Sequence, residues 1–170
     1  MKTSSLYLRG LVMADSRIQV SSRVLSILRE SGWSSARRVD VTDTKARIEK
    51  QGFAIHPVAL EMLQSFDGLV LRGVTGRPMR MDGTSAARAF EDDELPYLKA
   101  LFPGRLCPIG QSGGMIYLVA EDGRWVSLHE GWTVIYVMKS MDDMFTFSLL
   151  NENPGASIRE LNNDEIPSGY

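Results

Sequence analysis

The chain has 170 residues, 44% of them hydrophobic and 24% charged. That is material for one ordinary core, which excludes global disorder and two full domains. Lys and Arg number 19 against 21 Asp and Glu, a net charge of -2 that excludes a wholesale basic nucleic-acid binder.

The charge is unevenly placed. Residues 1–90 carry 14 basic and 8 acidic side chains and residues 91–170 carry 5 and 13, so an electrical polarity is expected. A single cysteine, Cys107, allows no internal disulfide and points to the cytoplasm. The apolar run Leu6 to Ala14 is short and interrupted by Arg9, so no membrane contact is expected. Residues 1–20 read as an N-terminal extension in which Met13 is a second possible start.

Ser21 and Ser22 precede Val24, Leu25, Ile27 and Leu28 at helical spacing, which predicts a helix capped by a serine hydroxyl and closed by Gly32. Thr42 is the expected N-cap of a second helix that ends at Gly52. His56-Pro57 opens a third, with Pro at the first helical position, where its missing N–H costs nothing, and Gly68 ends it. Leu69 to Leu71 reads as a short strand, and Arg72 to Gly83 as a loop or distorted hairpin. The acids Glu91 to Glu94 lead into a short fourth helix with Pro96 in its first turn.

Four β-rich runs follow: Leu106 to Ile109, Ile116 to Ala120, Trp125 to Leu128 and Thr133 to Met138. Their connections are too short for crossover helices, so they predict an antiparallel meander in which Gly110 to Gly114 is a flexible loop. Ser140 caps a last helix, and residues 151–170 read as a loose tail. The expectation is an α+β domain over residues 21–150, with N-terminal helices packed on a mainly antiparallel meander sheet and a C-terminal helix.

No chemistry emerges from the side chains. Two histidines and one cysteine are too few for a zinc site, so no metal and no cofactor are expected. His56 reads as a helix-start residue, His129 as a turn residue and Cys107 as a buried hydrophobe. Arg72, Arg77, Arg80 and Arg88 read as a solvated loop more readily than as a phosphate rim, because few aromatics stand between them for base stacking.

Five patches in order resemble the SUKH superfamily of immunity proteins, specifically the SUKH-3 group. They are Gly32-Trp33 with Arg38-Val39-Asp40, Gly52-Phe53 with His56-Pro57, Phe66-Asp67-Gly68-Leu69, Leu106-Cys107-Pro108-Ile109-Gly110, and Asp122-Gly123-Arg124. Asp67 stands where that group has a glycine, and Gln111 where an acid often follows. The resemblance covers roughly Ser21 to Leu150 and implies a non-enzymatic antidote that binds a cognate protein toxin, often a nuclease or nucleic-acid deaminase, with no direct nucleic-acid contact.

A small-molecule or peptide-binding regulatory module on the same scaffold is the alternative, and an RNA-binding module a third. On the antidote reading, Glu91, Asp92, Asp93, Glu94, Glu121, Asp122 and Glu130 would face a basic toxin groove, with Trp132 as an exposed interface anchor. Trp33 is assigned to the core.

Overall fold

The computed structural model describes residues 18–170; the expected extension over residues 1–20 and the alternative start at Met13 fall almost entirely outside them. Three helices come first: α1 (Ser22–Glu30), α2 (Thr42–Lys50) and α3 (Pro57–Phe66). The Ser21 hydroxyl accepts from the Val24 N–H at the start of α1. Thr42 is the first residue of α2 rather than its cap. Asp40 takes the capping role, accepting from the Thr42 N–H at 2.9 Å and its hydroxyl at 2.7 Å.

A hairpin of β1 (Val70–Arg72) and β2 (Pro78–Arg80) leads to α4 (Gly83–Arg88) and α5 (Leu95–Leu101). The meander β3 (Leu106–Ser112), β4 (Met115–Ala120), β5 (Trp125–His129) and β6 (Val134–Met138) precedes α6 (Met141–Leu150) and a last strand, β7 (Ser157–Glu160). All seven strands form one antiparallel sheet in sequence order. Helix α4 was not expected; Asp82 caps it by accepting from the Ser85 N–H at 2.9 Å. Gly113 and Gly114, both at positive φ, make a two-residue turn, so β3 runs on through the segment expected to be a flexible loop.

Residues 151–170 are a second correction. Val134 to Val137 of β6 pair with Ser157 to Glu160, and a 3-10 helix (Asn163–Glu165) follows and packs on α5. The segment orders because Asn162 and Glu165 form a reciprocal capping box and Arg159 reaches the Glu165 carboxylate at 2.6 Å.

The core is continuous from α1 to α6. Trp33, 5% exposed, stacks on Phe66 at 6.1 Å, and Phe66 meets Phe145 of α6 edge-on at 5.4 Å. Neighbouring residues of the central strands, such as Tyr117 with Leu118 and Trp125 with Val126, are all buried, so the middle of the sheet is covered on both faces. Among the described residues no helix is long and apolar enough to cross a membrane.

Candidate interaction surface

Phe90 closes the segment after α4, set edge-on to Phe53 at 5.5 Å and to Trp132 at 6.3 Å. The next four residues are all acidic and have opposite fates. Glu91, Asp92 and Asp93 are exposed, whereas Glu94 is 2% exposed and turns inward before Leu95 begins α5. Its carboxylate accepts from the Trp132 indole N–H at 3.1 Å and from the Glu91 backbone N–H at 2.7 Å. The Tyr170 phenol also meets it; that hydrogen bond and the carboxylate charge push the phenol up to about 12.

Trp132 is 1% exposed, with Tyr97 and Tyr170 against its ring. Glu94 and Trp132 are therefore interior groups, not the surface contacts expected of them. A buried carboxylate needs donors and a buried indole N–H needs an acceptor, and each supplies the other's need.

Glu121 and Asp122 sit on the β4–β5 turn and are exposed but committed. Arg105 reaches Glu121 at 2.6 Å and Arg124 reaches Asp122 at 2.8 Å. The Arg124 hydrogen bonds hold the Asp122 carboxyl below the usual carboxylate range, while its guanidinium lies 4.7 Å from the Phe102 ring centre. Glu130 is exposed in the β5–β6 turn, two residues before Trp132.

The sheet thus divides the acids. Glu91 to Asp93 and Glu130 lie at the end marked by Trp132, and Glu121 and Asp122 lie at the other, about 17 Å away along the five residues of β5. Along α5, reaching Glu121, runs a cleft of about 520 Å³ lined by Phe53, Leu98, Phe102 and Leu106 and by the charged Lys99 and Arg105.

The motif positions have structural roles. Gly32 and Gly68 take left-handed backbone at the ends of α1 and α3, and Gly123 does so in the β4–β5 turn. Pro108 and Gly110 flank a bulge at Ile109, where the missing side chain of Gly110 lets the Arg80 carbonyl approach. Arg38 is exposed and, among the described residues, donates to the neighbouring Arg37 carbonyl.

One important position was not singled out as functional. Asp67, the departure from the family glycine, accepts from the Thr44 hydroxyl at 2.9 Å and the Gly83 N–H at 3.2 Å, joining α2, α3 and α4. Burial raises its carboxyl above the usual range. The only mark in the sequence was the departure itself, an Asp at a helix end where the resembled group has a glycine.

The two histidines and the cysteine serve the fold. His56 is buried, its Nδ1 accepting from the Ala59 N–H at 3.2 Å as the cap of α3 while Nε2 faces the Val119 carbonyl at 3.1 Å. His129 Nδ1 accepts from the Gly131 N–H. The Cys107 thiol is buried and pushed up to about 12, so it supplies no thiolate. No three His, Cys, Asp or Glu side chains gather as a metal site among the described residues.

Residues 20–151 match the family model described as SUKH-3 immunity protein. No curated protein matches the chain, and no solved structure does.

Proposed function

The chain belongs to the SUKH-3 immunity protein family, a non-enzymatic family whose name implies toxin neutralisation, and from that membership we propose that its cognate toxin acts on nucleic acid and is met by the acidic corner Glu91 to Asp93. One observation carries the proposal: three adjacent exposed carboxylates have no ion-pair partner among the described residues, while the inward Glu94 fixes the turn that presents them. A toxin that grips phosphates needs a basic groove, and fixed carboxylates attract it at long range. Glu130 at the same end of the sheet adds to that field. Glu121 and Asp122 contribute less, because their arginine partners cancel their charge locally.

The test uses the cognate toxin. A variant with Glu91→Gln, Asp92→Asn and Asp93→Asn should associate several-fold more slowly at low salt and little differently near 1 M salt, where the Debye length is about 3 Å. An unchanged association rate at low salt removes the corner from the interface.

A further inference from the structure

We propose that the outer face of the β1–β2 hairpin is a second docking surface, built for an acidic protein segment whose apolar side chains alternate with carboxylates. Val70 pairs with Arg80 and Arg72 with Pro78, so these four residues share one face of the hairpin, while Leu71 and Met79 between them are fully buried on the other. Arg72 and Arg80 are exposed diagonal neighbours on that face. Arg77, also exposed, stretches over Gly113 of the adjoining turn.

None of the three arginines enters an ion pair among the described residues, although Arg105, Arg124 and Arg159 each hold a carboxylate. Two large apolar side chains lie beside them: Val70 is 38% exposed and Val74 is 65% exposed. Arginine is enriched at protein interfaces, and the two exposed valines put uncovered apolar surface beside it.

The hairpin is also held in one shape. Val74 N–H donates to the Leu149 carbonyl at 2.8 Å, the Ser112 hydroxyl to the Pro78 carbonyl at 3.0 Å, and Gly68 N–H to the Met81 carbonyl at 2.7 Å. Little backbone freedom remains to be lost on binding.

A protein partner fits better than nucleic acid. No aromatic ring stands on the hairpin for base stacking, and the exposed valines match aliphatic side chains. The surface is separate from the acidic corner and does not depend on the toxin assigned to it.

The experiment titrates the ¹⁵N-labelled chain with the peptide Glu-Leu-Asp-Leu-Glu-Asp, with its neutral counterpart Gln-Leu-Asn-Leu-Gln-Asn, and with an oligouridine. The acidic peptide should shift the amides of Leu69 to Val74 and Met79 to Arg80, and the neutral peptide should bind about ten-fold more weakly or not at all. A chain carrying Arg72→Gln, Arg77→Gln and Arg80→Gln, its fold checked by its own spectrum, should lose the response. Equal binding of the two peptides, tighter binding of the oligouridine on the same amides, or unmoved hairpin amides would each overturn the proposal. The peptide arms use the unmodified chain, so they decide even if the triple variant fails to fold.

Discussion

The indole N–H of Trp132 donates to the Glu94 carboxylate across 3.1 Å inside the protein, joining two residues 38 positions apart. The other carboxylate oxygen takes the Glu91 N–H, so both oxygens face donors. An amide has one acceptor and one donor end, and Glu94→Gln must therefore point its NH₂ at one of those N–H groups. The variant should lose about 1–3 kcal/mol, the cost of a buried unpaired group. Urea midpoints of the two proteins measure it, and equal midpoints would mean that a water or a shifted side chain serves the second donor.

His56 carries a pH dependence of known sign. Its Nδ1 is an acceptor for Ala59 N–H, so the ring is neutral with its proton on Nε2, facing the Val119 carbonyl. Burial lowers its pKa below the usual 6.5. The unfolded chain therefore binds the proton first, and the contribution of this ring is complete above pH 6.5 and is lost as pH falls from there toward the folded value.

The slope from one such group cannot exceed about 1.4 kcal/mol per pH unit. Asp67 acts with the opposite sign at lower pH, since its raised carboxyl favours the fold as it protonates. The comparison belongs between pH 7 and 5.5, where His56→Asn, a cap that does not titrate, should flatten the curve. An equally steep curve in the variant would place the titration elsewhere.

The sequence made the helices and the central meander legible because caps, prolines and glycines act locally: Ser21, Pro57, Gly68 and Ser140 all stand where local rules put them. The candidate site was less legible because it depends on distant pairs. Nothing in His129-Glu130-Gly131-Trp132 distinguishes a turn tryptophan that faces solvent from one that folds back onto α5. Glu94 did carry a trace: it lies three residues after Glu91, the spacing at which an acid reaches back to a backbone N–H. Strand β7 left no pattern, since all four of its residues are exposed and its pairing comes from β6. Helix α4 was hidden by Gly83 in its first turn, where a side chain would press on Ile48 and Leu63.

Gly73 should tolerate no side chain. Its φ is not of the left-handed kind, but a Cβ there would strike the Leu149 backbone carbonyl, which also accepts the Val74 N–H. Gly73→Ala must displace either the hairpin or the end of α6, and an overpacked backbone contact costs about 1–3 kcal/mol. The loss should be accompanied by faster amide exchange at Val74. An alanine variant with the parental midpoint would show that the hairpin can withdraw from α6 at no cost.

Removing residues 152–170 should destabilise the domain rather than trim it. The segment closes the exposed side of β6 with four paired residues, buries Pro167 and lays Tyr170 against Trp132. Leu161 and Ile166 are half-buried and pack against the core, so losing this cover should cost about 2–4 kcal/mol by the burial of one or two apolar side chains. The loss should be local before it is global. The Trp132 indole N–H, shielded in the full chain, should exchange with solvent faster in the shortened one, while that of Trp33, in the α1–α3–α6 core, should not. Unchanged exchange at Trp132 together with an unchanged midpoint would return the segment to the loose tail its composition first suggested.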